Sequence, residues 1–252
     1  MKKIKILNSN GKNIAAVIHY PKKPTDHLAI LCPGYLDSKN YKHMTGLAET
    51  LSMQGYTAVR FDPTGTWESE GDINDYTTTQ YLKDVKSVID YMSKAGAYKF
   101  ILLGGHSRGG MVSIIYAACN IEIFAVLAIM PSIPYSKADK RREQWQKIGF
   151  RISQRDTPNE DSKKEFRVPY SHIQDAGQYN VALEAKKVKV PIIFVAGALD
   201  VIAPPTDIRR IFNNANEPKE YILIEGIGHD YRHNPLEVKT VNNKVIEALS
   251  KI

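Results

Sequence analysis

With two cysteines in 252 residues, this chain has neither a disulfide framework nor a zinc-ligand set. Cys32 and Cys119 each lie in or beside an apolar segment, which suits buried free thiols, and neither sits in an activating turn. Long apolar runs are missing too, since a membrane span needs roughly 18 or more such residues in a row. The basic start Met1-Lys2-Lys3 leads into Asn8 to Lys12 rather than the apolar stretch of a secretory signal, so a cytoplasmic protein is expected. There is no internal repeat and no low-complexity linker. No histidine–carboxylate cluster suggests a metal, and neither a metal nor an organic cofactor is expected.

Charge is present in excess. The formal net charge is +7, from 34 Lys and Arg against 27 Asp and Glu. No basic run alternates with stacking aromatics, so a lysine-rich solvated surface is expected rather than a nucleic-acid interface. Part of the excess is local: residues 137–168 hold ten Lys or Arg against six Asp or Glu, a difference of four. Such a stretch suits attraction of anionic substrates, or solubility alone.

The order of apolar segments predicts strands alternating with helices. Asn10-Gly11 reads as a hairpin turn between strands at Lys3–Leu7 and Asn13–Tyr20. Further strands are expected at Leu28–Cys32, Tyr56–Phe61, Phe100–Leu103, Ile123–Met130, Pro191–Gly197 and Glu220–Glu225. Helices fall between them, among them one from Thr77 or Thr78 to Ala95 whose Tyr81, Leu82, Val85, Val88, Ile89 and Met92 keep the 3.6-residue period. The pattern is that of an α/β protein, a mostly parallel sheet with helices on both faces. It lapses between Pro131 and about Lys189. There a polar helix at Ser136–Lys147, two pairing segments at Gly149–Ser153 and Glu165–Tyr170, and further helix within Ser171–Lys187 are expected. The chain reads as one domain, 1–252, with a lid inserted at about 131–189 over the C-terminal edge of the sheet.

Gly105-His106-Ser107-Arg108-Gly109 follows the strand beginning at Phe100 and runs straight into an apolar helix. A G-x-S-x-G pentapeptide alone says little in a chain with 16 glycines. Strand, tight turn and helix in direct succession say more, because that setting exposes a serine at a strained tip. A serine hydroxyl needs a base as it attacks, and an imidazole needs a carboxylate to fix its tautomer. Asp200 follows one later strand and His229 the next, in the order Ser…Asp…His. Asp207 and His233 are their nearest rivals. His106 is expected to point away and support the turn. Donors for a developing oxyanion are expected from the backbone N–H of Arg108 and, in the Pro33-Gly34-Tyr35 turn, from that of Tyr35. Tyr35, Trp67, Trp145, Phe166 and Tyr170 are candidates for an apolar pocket wall, though aromatics are equally at home in packing.

With these residues in place, the chain resembles the α/β-hydrolase superfamily over nearly its whole length. The likeness is greatest to small bacterial and archaeal serine esterases of the feruloyl (cinnamoyl) esterase and monoacylglycerol-lipase-like type. The matching residues are Pro33-Gly34-Tyr35, Arg60-Phe61-Asp62, Gly105 to Gly110, Gly197 to Asp200 and Gly228-His229. The resemblance implies an eight-stranded α/β-hydrolase fold and a nucleophile, acid and base at Ser107, Asp200 and His229. It also implies a small-molecule ester as substrate and a monomer or homodimer. Two departures stand out: Pro33 replaces the family's usual histidine, and Trp67 replaces a glycine in Gly65-Thr66-Trp67-Glu68-Ser69. Asp62 reads as structural. Short-to-medium acyl or aromatic esters are expected. A thioesterase, peptidase or acyltransferase using the same three residues is the enzymatic alternative, and a non-catalytic binding protein on this fold the other.

Overall fold

The computed structural model describes residues 1–133, 140–158 and 161–252. Ten strands are described: β1 (Lys2–Leu7), β2 (Asn13–His19), β3 (His27–Cys32), β4 (Thr57–Phe61), β5 (Phe100–His106), β6 (Ala125–Ile129), β7 (Phe150–Asp156), β8 (Lys163–Pro169), β9 (Ile192–Gly197) and β10 (Lys219–Ile224). Eight of them form one sheet in the order β1-β2-β4-β3-β5-β6-β9-β10. From β4 to β10 the neighbours run parallel, and β1 and β2 add an antiparallel edge.

The central strands read as unbroken apolar runs because both faces are covered. Every residue of β6 and β9 is buried. Full burial of one such aliphatic side chain stabilises by roughly 1.5–3 kcal/mol, so a charge here would be excluded by energy. Helices α1 (Lys42–Met53), α2 (Thr78–Ala95), α3 (Arg108–Ala117), α7 (Pro205–Asn214) and α8 (Pro235–Leu249) supply the cover. In α2 the expected stripe of Tyr81, Val85, Val88, Ile89 and Met92 is buried, with Leu82 at its margin. The Thr77 hydroxyl accepts from the Gln80 N–H at 3.0 Å and starts that helix.

After β3 the chain goes to β4 on one side, then to β5 on the other. That reversal opens a crevice at the C-terminal ends of β3 and β5, where Cys32 pairs in register with Gly105.

Between β6 and β9 lie helix α4 (Lys140–Ile148), the antiparallel pair β7–β8, and short helices α5 (Ser171–Ala176) and α6 (Val181–Ala185). The expected pairing of Gly149–Ser153 with Glu165–Tyr170 matches this hairpin, and residues 136–139 of the expected polar helix lie outside the described residues. Leu36, Tyr76, Trp145, Phe166, Val168 and Ile173 form a second, smaller apolar cluster beneath the hairpin. One expectation fails: Cys32 is buried, but Cys119 is exposed, because α3 ends at Ala117 and the chain turns outward.

Candidate active site

Ser107 sits between β5 and α3 with φ 55° and ψ −116°, a conformation that L-residues rarely adopt. The flanking glycines make it possible. A Cβ at Gly105 or at Gly109 would collide with the carbonyl oxygen of Cys32. The strand and the helix therefore pass closer to β3 than any side chain allows, and the serine is pushed to the tip. Its own N–H donates to the Ile129 carbonyl at 2.8 Å, tying the turn to β6.

Asp200 lies in the turn after β9 and is buried. Its Oδ1 accepts from the N–H groups of Ile202 and Ala203, both at 2.8 Å. Its Oδ2 lies 2.7 Å from His229 Nδ1, in the loop after β10. The two loops are stitched together by Leu199 N–H donating to the Ile227 carbonyl at 2.9 Å. An ionised carboxylate only accepts, so Nδ1 carries the proton and Nε2 presents a lone pair. That Nε2 lies 2.9 Å from Ser107 Oγ. The three residues thus form one continuous hydrogen-bonded line. Their rivals lie elsewhere: Asp207 is on α7 beside Arg210, and His233 is exposed, 4.0 Å from Asp156.

The Tyr35 and Arg108 N–H groups have no acceptor among the described residues, in keeping with the start of a helix for Arg108 and an open turn for Tyr35. Tyr35 is held firmly from the β6–β9 segment. Arg155 donates to its carbonyl at 2.7 Å, and Ser153 Oγ lies 3.2 Å from its hydroxyl. Burial pushes the Tyr35 phenol up to about 12, against the pull of Ser153 and of the Arg151 and Arg108 charges.

A cavity of about 410 Å³ opens at Ser107 and His229. Tyr35, Met111, His172, Ile173 and residues 151–155 of β7 are among its walls. Of the five aromatic candidates only Tyr35 lines it. Trp67, Trp145, Phe166 and Tyr170 belong to the smaller apolar cluster. Trp67, at φ 45°, donates its indole N–H to the Leu36 carbonyl at 3.0 Å and meets Phe166 edge-on, with ring centroids 5.5 Å apart. Trp145 donates to the Val168 carbonyl at 3.0 Å. These rings hold the hairpin together, because each indole N–H needs a buried acceptor that the hairpin and the loop after β3 supply.

One feature lay beyond the sequence reading. Asp37 Oδ2 lies 3.6 Å from His106 Nδ1 and 3.7 Å from His43 Nε2, all three buried behind His229. His106 does not point away as expected: it packs its ring on that of His229 at 4.7 Å and lines the cavity. Burial pushes His43 down to about 3 and lowers His106, so both rings are neutral near pH 7. Among the described residues, Asp37, His43 and His106 form a group whose ligand atoms lie close enough to share a metal ion. Asp62 is structural, as expected: buried, it accepts from both the N–H and the ammonium of Lys39, each at 2.7 Å.

This fold and this line of residues define an α/β hydrolase. Residues 23–165, more than half of the chain, match the Hydrolase_4 family, described as serine aminopeptidase, S33, and the chain belongs to that family. It is 26% identical over 184 residues to the mitochondrial palmitoyl-protein thioesterase ABHD10 of Mus musculus. That match takes in 69% of this chain but 59% of the relative's length. Among solved structures, the α/β hydrolase GrgF from a Penicillium species superposes with a TM-score of 0.82 at 19% identity, covering 99% of this chain and 98% of that one. Est1E from Butyrivibrio proteoclasticus, solved with ferulic acid bound, gives 0.76 at 22% identity, covering 97% and 99%. Among the described residues, no helix is long and apolar enough to cross a membrane.

Proposed function

We propose that this protein is a serine hydrolase of carboxylic esters, with Ser107 as nucleophile, His229 as base and Asp200 as the orienting acid. The observation that carries the reading is the unbroken line Asp200–His229–Ser107, 2.7 and 2.9 Å per step, ending at the cavity. Ser107 Oγ attacks the ester carbonyl carbon while its proton passes to His229 Nε2. Asp200 stabilises the imidazolium, and the N–H groups of Tyr35 and Arg108 receive the charge that develops on the carbonyl oxygen. The C–O bond then breaks, and His229 returns the proton to the leaving alcohol. Water, deprotonated by the same imidazole, attacks the acyl-enzyme and releases the acid and free Ser107.

In this reading the chain is one domain and the segment at about 131–189 is its lid. Short-to-medium acyl or aromatic esters fit a cavity of about 410 Å³. The similarity to a thioesterase supports a second substrate type, since a thioester presents the same carbonyl to the same nucleophile. Fluorophosphonate labelling of the wild type, and its loss in Ser107→Ala and His229→Ala, is the expected result. A folded wild type that resists the label would overturn the proposal. Turnover of matched 4-nitrophenyl esters, a feruloyl ester and a thioester then ranks the substrates.

A further inference from the structure

Between the serine turn and β7, Arg108 and Arg155 carry positive charge that few acids answer. Arg108, Arg151 and Arg155 all line the cavity at Ser107. Arg108 is buried, and no carboxylate lies within 4.0 Å of it or of Arg155 among the described residues. Arg108 Nη2 reaches the Thr78 hydroxyl at 3.4 Å, and Nη1 lies 3.4 Å from His172 Nδ1. That ring nitrogen is also 2.7 Å from the Tyr76 carbonyl. A carbonyl only accepts, so His172 Nδ1 carries a proton and offers Arg108 no lone pair. What remains for the guanidinium is chiefly the face of Tyr76, 4.1 Å away. Arg155 spends Nη2 on the Tyr35 carbonyl, while its Nε is buried without a partner.

Two acids line the same cavity, and neither closes the account. Asp37 faces His43 and His106 at 3.7 and 3.6 Å. Asp230 is 65% exposed and lies 3.8 Å from Arg232, outside the arginine group. A guanidinium taken out of water without an opposing charge is unfavourable, and a ligand that brings one is bound more tightly for it. Guanidinium also matches oxyacid groups in shape, two N–H donors to two oxygens.

We infer that the cavity selects esters bearing an anionic oxyacid group, a carboxylate or a phosphate, held between Arg108 and the arginines of β7. This rests on the serine-hydrolase reading and narrows its substrate class. The test pairs each acidic ester with a neutral twin. Mono-4-nitrophenyl glutarate is set against 4-nitrophenyl valerate, and 1-butyrylglycerol 3-phosphate against 1-butyrylglycerol. In at least one pair kcat/KM is expected to favour the acid by about tenfold or more at low salt, an advantage that 0.5 M NaCl compresses. The Arg151→Gln/Arg155→Gln double variant is expected to bring the ratio below about threefold. Using the ratio cancels any general loss caused by loosening Tyr35. Equal turnover within both pairs, or a preference unchanged in the double variant, overturns the inference while leaving the hydrolase reading intact. If the neutral esters are untouched and fluorophosphonate does not label, the hydrolase reading fails instead. Calorimetry with glutarate and with glycerol 3-phosphate on Ser107→Ala protein then decides the anion site alone. Salt-sensitive binding lost in the arginine double variant supports it, and no binding overturns it.

Discussion

The two sheets of this molecule are built on opposite terms. The eight-stranded sheet carries fully buried strands, β6 and β9 among them, and the turns after β5, β9 and β10 hold Ser107, Asp200 and His229. The β7–β8 pair is mostly exposed or half-buried and puts Arg151, Ser153, Gln154 and Arg155, with Ile152, over the cavity. Close packing holds Ser107, Asp200 and His229 to within tenths of an ångström, which a hydrogen-bonded line requires. The smaller sheet has a thin apolar base and long polar side chains, which vary readily without disturbing the large core. The hydrogen-bonded line and the arginine-bearing wall are therefore held by different kinds of cohesion.

Ser107→Ala should separate the two most sharply. Turnover of a neutral ester is expected to fall by at least about 10³-fold, with circular dichroism and the urea midpoint nearly unchanged. Lys39→Met tests the large sheet's edge loop. Lys39 is 1% exposed and its ammonium also lies 3.0 Å from Glu68, so its loss strands the Asp62 carboxylate. A destabilisation of about 3–5 kcal/mol is expected by urea unfolding, since breaking a buried pair leaves a charge uncompensated. A loss below about 1 kcal/mol would mean that water reaches Asp62. Phe166→Ala, in the small cluster, should cost about 3 kcal/mol, felt locally. Limited proteolysis is expected to cut within residues 140–185 first, while the large sheet keeps its hydrogen-exchange protection.

The smallest effect expected is a pH slope. Burial lowers His43 from 6.5 to about 3. Between those values the unfolded chain binds a proton that the folded chain refuses, so stability falls as pH drops through that window. His43→Gln should remove up to one proton, about 1.4 kcal/mol per pH unit, from the slope of unfolding free energy between pH 6 and 4. An unaltered slope would show that His43 is already charged in the fold.

Much of this is written locally in the chain. Strand, turn and helix follow within a dozen residues around Ser107, so the glycines that Cys32 demands are visible as a motif. Asp200 and His229 are visible because each follows an apolar run that reads as a strand, fully buried in β9 and half-buried in the edge strand β10. What was hidden depends on register and on competition. Asp37, His43 and His106 sit on a loop, a helix and a strand, and meet only because β3 and β5 align Cys32 with Gly105. Trp67 and Phe166 have the composition of a pocket wall, but packing against each other buries more surface than facing a solvated cavity. The cavity-facing role of Arg151 and Arg155 required knowing which way the β7–β8 hairpin lies.

Ser153 and Arg155 grip Tyr35 at its hydroxyl and its carbonyl. A peptide amide cannot be re-aimed without turning the residue that carries it, so β7 and the loop after β3 behave as one rigid part. Any motion that lifts the strand from the cavity must either tear these two contacts or swing Tyr35 with it. Access for a substrate and the aim of that N–H are thereby geared together, like a latch whose bolt is also its handle.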